Sequence, residues 1–187
     1  MAAFNLAENG KYIGRLTRNL KEPRKIALDA QGDVAVINSG VGNDGRSIVS
    51  VFPFGGSNGW YEIKDGIANS KSLAYDKEGN LYVGNIGNVI TVYAPGATTP
   101  MRKITDGVNG PYSMVFDRNG RLYVGNYSGY NVTAYEPPDY NLVLTIPTEL
   151  RNVRDIAINA AARRLYIAAD STLRSEVLDY DIKPARR

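Results

Sequence analysis

The sequence predicts an all-β fold, a β-propeller of about four blades in which each blade is a four-stranded antiparallel meander. The first observation behind this is a repeat: Ser72 to Tyr93, SLAYDKEGNLYVGNIGNVITVY, returns as Ser113 to Tyr135, SMVFDRNGRLYVGNYSGYNVTAY. Both copies run through an apolar stretch, Asp-x-x-Gly, Leu-Tyr-Val-Gly-Asn, a short polar loop and an alternating stretch that closes on Tyr. The second is spacing. Ile26-Ala27-Leu28-Asp29 and Ile156-Ala157-Ile158-Asn159 fit the same register, so the unit occurs four times with a period of roughly 40 residues, as in propellers and other stacked arrays. The third is the period-two alternation of β-branched and aromatic residues within each unit, which marks half-buried strands.

Each unit reads as three strands, A, B and C, with an outer strand D ahead of the next A. Strand A ends at Asp29, Asp76, Asp117 and Asn159. In the first three units Asp-x-x-Gly turns tie A to B, the Asp accepting a local hydrogen bond and the Gly tolerating positive φ. B runs through Leu81-Tyr82-Val83, Leu122-Tyr123-Val124 and Leu165-Tyr166-Ile167, and C closes on Phe52, Tyr93, Tyr135 and Tyr180. D is expected at Tyr12 to Leu16, Trp60 to Ile63, Met101 to Ile104 and Leu142 to Ile146. This order predicts closure: Tyr12 to Leu16 would pair with Val177 to Tyr180 as the missing outer strand of the last blade and hide its edge. Ala3-Phe4-Asn5 reads as one more C strand, the excess expected of a piece of a larger propeller or of a ring completed by a second copy. Leu150 to Ala168 has a helix-forming composition and no turn Gly, yet its apolar register predicts strands. The long first interval is taken up by a loop at Ser39 to Ser47, and residues 1–187 read as one domain.

Composition narrows the chemistry. The 187 residues are 43% hydrophobic, enough for a full core. With His 0 and Cys 0, imidazole and thiolate metal sites, His-based triads and a Cys nucleophile are all excluded. A net charge of +3, without a block of like charge, predicts no nucleic-acid partner. No apolar run approaches the ~18 residues of a membrane span, so no membrane partner is expected either. No targeting segment is read at the start, MAAFNLAENGKYIGRL, which leaves the compartment open, as it does the choice between monomer and homo-oligomer.

The phrases NLYVGNIGNVITVYAPG and GPYSMVFDRNGRLYVGN, within a match from about Pro23 to Tyr180, resemble NHL-type repeats of bacterial six- and seven-bladed propellers, many of them exported. Having four units departs from that pattern. The resemblance implies a propeller and an extracytoplasmic setting, but no single function, since such folds carry lactonases, lyases, lectins and docking platforms. In the gluconolactonase-like branch, Asp, Asn and Glu side chains converge on a divalent cation over the channel. By that likeness Asn38, Asn85, Asn126 and Asp170, at or next to the end of strand B, become candidate ligands for calcium or a similar cation. The reading from the residues alone is that each Asn bonds its own turn and no cofactor is held.

Gly40-Val41-Gly42-Asn43-Asp44-Gly45 spells a dinucleotide fingerprint but leads into a strand, so it is read as a loop. Asn126 and Asn131 head glycosylation sequons that are read as chance. Tyr82, Tyr123 and Tyr166 repeat within strand B and are expected to pack between blades. Tyr112, Tyr127 and Tyr130 lie on the B–C and D–A connections, which emerge on one face of a meander, where aromatics suit sugars or peptides. Arg24, Lys71, Tyr112 and Arg154 share one position two residues ahead of the first apolar residue of A, at the channel mouth, and suggest an anionic ligand. The favoured expectation is a non-catalytic module that binds a protein, peptide or glycan on this face. The alternative is a metal-assisted lactone or ester hydrolase.

Overall fold

The computed structural model describes residues 4–5, 11–12, 16, 18–41, 46–54, 59–159 and 164–182. Its strands are β1 (Phe4–Asn5), β2 (Lys11–Tyr12), β3 (Glu22–Leu28), β4 (Val34–Ser39), β5 (Ile48–Phe52), β6 (Tyr61–Ile63), β7 (Ser70–Tyr75), β8 (Leu81–Asn85) and β9 (Val89–Tyr93). They continue as β10 (Arg102–Ile104), β11 (Pro111–Phe116), β12 (Leu122–Asn126), β13 (Asn131–Glu136), β14 (Asn141–Pro147), β15 (Asn152–Ile158), β16 (Arg164–Asp170) and β17 (Ser175–Asp181). No helix occurs among the described residues. Antiparallel pairing in chain order gives sheet 1 (β3 to β6), sheet 2 (β7 to β10), sheet 3 (β11 to β14) and the three-stranded sheet 4 (β15 to β17), with β1 and β2 as a separate pair. These meanders, stacked side by side, form a propeller-like all-β fold.

The turns between the first two strands of each sheet follow from the Asp-x-x-Gly sequence. In sheet 2, Asp76 Oδ1 accepts from the amides of Glu78 and Asn80 at 3.0 and 2.8 Å, and Gly79 N donates to Asp76 O at 3.2 Å. Asp29 and Asp117 repeat the pattern, and Gly32, Gly79 and Gly120 sit at φ of 91°, 83° and 83°, a region that disfavours a Cβ. Each expected outer strand joins the C strand before it: β6 pairs with β5, β10 with β9 and β14 with β13.

Alternation decides which face meets which neighbour. Ala35 and Ile37 of sheet 1 pack on Leu81, Val83 and Tyr93 of sheet 2. The opposite residues of sheet 2, Tyr82, Ile90 and Val92, pack on Met114, Leu122 and Tyr135 of sheet 3. Tyr123, Val132 and Ala134 of sheet 3 then pack on Ile156, Leu165 and Ile167 of sheet 4. That last core is why Leu150 to Ala168 contributes two strands despite its composition, since alternate residues of β16 are buried and helical spacing would not align them. The first strands stack in order, β3 on β7, β7 on β11 and β11 on β15, and together line a cavity of about 300 Å³.

The N-terminal pairing differs from the expected closure. β2 lies against β1 in the register Phe4↔Tyr12, while β17 pairs with β16 alone among the described residues. A partner a few residues away closes a short loop, whereas pairing with Val177 to Tyr180 closes almost the whole chain. The excess strand expected at Phe4 and Asn5 is present as β1. Residues 13–15 of the expected first D strand, and residues 42–45 of the glycine-rich loop, lie outside the described residues.

Candidate functional site

All four sheets carry one irregularity at the same place. The register shifts between Pro23 and Lys25, between Ser70 and Ser72, between Pro111 and Ser113, and between Val153 and Asp155. The residue skipped in each is Arg24, Lys71, Tyr112 and Arg154, the four equivalents singled out in the sequence. A bulge leaves its extra residue out of the ladder and re-aims the side chain, so the fold presents these four as a set.

The loops beside the bulges are tied to one another. Tyr127 N donates to Gly110 O at 2.8 Å, Gly129 N to Asn109 O at 3.1 Å and Thr148 N to Tyr130 O at 3.0 Å. Gly110 N donates to Asn88 Oδ1 at 3.0 Å, which links sheets 2 and 3. The B–C and D–A connections therefore share one face, as the meander predicts. Gly110 is needed at φ 68°, because a Cβ there would meet Ser128 Oγ at 2.9 Å and its backbone N at 3.1 Å.

On this face four of the singled-out residues come together. The rings of Tyr112 and Tyr127 lie 5.3 Å apart at 32°, and the Arg154 guanidinium lies over Tyr127, 4.8 Å from its centroid. Arg154 Nε donates to Asp170 Oδ2 at 2.8 Å, and Asn152 Nδ2 donates to Asp170 Oδ1 at 2.7 Å. The bond from Asn152, and then the guanidinium, hold the Asp170 carboxyl below the usual carboxylate range, while the bond to Asp170 raises Arg154. The result is a two-ring platform with a fixed cation stacked on it, and the carboxylate balances the cation's charge. Tyr130, on the turn that carries Tyr127, is 44% exposed at φ 54°, an uncommon setting for a bulky residue.

Arg24 stands apart, paired with Glu22 at 3.1 Å on sheet 1, and Lys71 is half-buried on β7. The three asparagines are fully buried and bonded within their own sheets. Asn38 Oδ1 accepts from the amides of Lys21 and Glu22 at 2.9 and 3.1 Å. Asn85 Oδ1 accepts from Ala68 N at 2.9 Å and Ser70 Oγ at 2.7 Å, and Asn126 Oδ1 accepts from Asn109 N at 2.9 Å. Each asparagine clamps the incoming D–A connection to the end of strand B, and Asp170 is engaged by Asn152 and Arg154. Among the described residues no three carboxylates gather as a metal site.

Two features were not anticipated from the sequence. Inside the cavity lined by the first strands, Ser113 Oγ donates to Asp155 Oδ1 at 2.5 Å and Ser72 Oγ to Pro111 O at 2.8 Å. Their shared position, one residue past the bulge, was the available signal. On the opposite face Tyr140 packs on Tyr82 at 5.4 Å with Arg102 at 5.8 Å from its centroid, beside a cavity of about 200 Å³.

No family model matches the chain, and no curated protein does. Solved structures match in number, 1028 chains, and a fold that widespread identifies an architecture rather than an activity. One of them is hydrazine synthase of Kuenenia stuttgartiensis, with a TM-score of 0.74 at 16% identity over 90% of this chain. The present chain covers 48% of that chain, about half its length, and the likeness is one of fold alone.

Proposed function

We propose that the protein is a non-catalytic binding module that takes a glycan or peptide on the face of Tyr112, Tyr127 and Arg154, and that its sheets are blades of an NHL-type propeller. The observation that carries the reading is the stacked platform itself. Two phenols and a guanidinium lie against one another on a rigid bulge-and-turn scaffold, a surface that suits the C–H face of a sugar ring or a peptide aromatic. Because Asp170 balances Arg154, the platform favours an uncharged ligand over an anion. The buried carboxamides are read as structural, since taking a cation would release the backbone amides they hold.

Screening a panel of oligosaccharides and aromatic peptides by calorimetry tests this. The expected result is a ligand whose affinity falls at least about tenfold in Tyr127→Ala, the loss of one aromatic contact of about 1.4 kcal/mol, with the melting temperature nearly unchanged. Absence of binding across the panel at millimolar concentration, or a ligand indifferent to both Tyr127→Ala and Arg154→Gln, overturns the proposal.

A further inference from the structure

On the face opposite the tyrosine platform, the cavity of about 200 Å³ between sheets 2 and 3 holds a cation that the fold does not require. These are the two inner sheets of the stack, each packed against a neighbour on both faces. Arg102 pairs with Val92 across β10 and β9, as Tyr61 pairs with Val51 in sheet 1 and Leu144 with Ala134 in sheet 3. Val51, Val92 and Ala134 each stand one residue before the Phe52, Tyr93 or Tyr135 that closes the strand, so Tyr61, Arg102 and Leu144 are equivalents. Tyr61 packs on the core between sheets 1 and 2. A guanidinium in the same place is half-buried and carries a desolvation cost that Tyr and Leu avoid. A residue that breaks the local pattern with no structural gain marks a functional position.

Arg102 is held in place without being neutralised. Its Nη1 donates to Pro138 O at 2.7 Å, and the guanidinium lies 5.8 Å from the Tyr140 centroid. Among the described residues no carboxylate pairs with it, which leaves Nη2 and Nε without an acceptor. The two carboxylates of the cavity wall are engaged elsewhere. Asp76 Oδ1 accepts from the amides of Glu78 and Asn80, Oδ2 accepts from Asn80 Nδ2 at 2.8 Å, and Glu78 pairs with Lys77 at 3.5 Å. Tyr140 supplies a further donor. Its backbone sits at φ 55°, uncommon for a bulky residue, and sets the ring edge-on to Tyr82 and Phe116 at 5.4 and 6.3 Å. Burial, then a hydrogen bond with Tyr140, pushes the Tyr82 phenol up, while at Tyr140 the same bond works against burial. Tyr82 is therefore the donor in that bond, and Tyr140 keeps its own proton for another acceptor.

We propose that this cavity binds a small monocarboxylate with an apolar body, the acid held by Arg102 and the Tyr140 hydroxyl and the body by Val92, Met101 and Pro137. The site is separate from the tyrosine platform and does not depend on it. A planar guanidinium with open N–H groups matches a carboxylate, and charge-assisted bonds of this kind are the strong ones. One negative charge is what the cavity balances: a neutral ligand leaves Arg102 unpaired, and a dianion brings a second charge toward Asp76 and Glu78. The volume sets the size. About 200 Å³ lies below the ~300–1,000 Å³ of pockets for drug-sized ligands, which limits the body to one ring or a short branched chain. Met101, 56% exposed at the cavity, is unbranched and polarizable and adapts to either.

Titrating the full chain with phenylacetate and with 3-methylbutanoate at low salt, by calorimetry and by NMR of the Met101 methyl group, tests the site. The expected result is saturable binding of at least one acid with a dissociation constant of about 1 mM or below, accompanied by a shift of the Met101 methyl signal. The matching neutral amide, which keeps the shape and loses the charge, should bind at least about tenfold more weakly, and Arg102→Gln should weaken the acid by a similar factor. Arg102→Leu installs the side chain found at the equivalent position of sheet 3, so it should abolish binding while keeping the melting temperature within a few degrees of the parent or raising it. Absence of binding by both acids at about 10 mM overturns the proposal, as does an amide bound as tightly as its acid. So does binding that is indifferent to Arg102→Gln or leaves the Met101 methyl unmoved. A fall of about 10 °C or more in Arg102→Leu overturns it too, by assigning the guanidinium to the fold.

Discussion

Replacing Asn85 by Ala removes the clamp of sheet 2 and separates its structural role from a metal-binding one. The carboxamide is fully buried; besides its two incoming bonds, Nδ2 donates to Gly66 O, Val83 O and Thr91 Oγ1, each at 3.2 Å. Thr91 Oγ1 keeps a bond from Tyr93 Oη at 3.1 Å, and Ala68 lies on the surface where water can replace the lost acceptor. Ser70 Oγ has no such substitute, because it is buried and donates to Asn85 Oδ1 at 2.7 Å. A stranded buried hydroxyl costs ~1–3 kcal/mol and the lost bonds to Gly66 O and Val83 O contribute ~1 kcal/mol net each, so Asn85→Ala should lose about 3–5 kcal/mol. For a chain of this size that is a fall of roughly 6–20 °C in melting temperature. Asn85→Asp keeps the acceptor but turns an anionic oxygen toward three acceptors, so it should be destabilised at neutral pH. Its folded-state pKa is raised, so that penalty grows as pH climbs above the unfolded carboxyl value of about 3.9 and fades on acidification. Urea melts of both variants, with and without calcium, provide the assay. A loss below ~1 kcal/mol for Asn85→Ala, or a loss seen only with calcium present, would refute the clamp and favour a cation held by the asparagines.

Gly84→Ala should destabilise by about 1–3 kcal/mol in a denaturant melt, because the new Cβ would lie 2.8 Å from Pro111 O, backbone of the next sheet that cannot swing aside. Burial pushes the Tyr135 phenol up to about 12, and its hydroxyl donates to Asp106 O at 2.7 Å. Its contribution to stability is complete below the ordinary phenol value near 10 and is lost as pH rises through about 12, so absorbance titration should show it ionising well after the exposed tyrosines or together with unfolding. Asp170 titrates below the ordinary carboxyl value, so its contribution is present above that value and is lost as pH falls through the depressed one; carboxyl NMR should record the shift, and Asn152→Ala should reduce it. Tyr112→Ser together with Tyr127→Ser should leave the melting temperature within a few degrees of the parent, and a drop of 10 °C or more would assign the two rings to the core.

Much of the architecture is determined by the sequence alone, because its signals are local. Period-two alternation places the strands of the four sheets, and an Asp with a Gly three residues on closes the turns at Asp29, Asp76 and Asp117 wherever they fall in space. The repeat of Tyr82 and Tyr123 is enough to predict packing between sheets, since an identical residue at an identical register faces an identical neighbour. The meander likewise dictates that Tyr112 and Tyr127 share a face. Other features depend on which sheets are neighbours, and only the tertiary structure decided them. A sequence lists Arg154, Tyr127 and Asp170 as separate candidates, and the stacking of sheet 4 on sheet 3 makes them one cluster. It reads Asn85 as a residue bonded to its own turn, or by likeness as a cation ligand, and the fold instead surrounds that side chain with donors and acceptors that include a connection nearly twenty residues earlier. Tyr166 shows the limit most plainly: by pattern it matches Tyr82 and Tyr123, yet burial belongs to a pair of surfaces, and no described sheet lies beyond sheet 4 to supply the second.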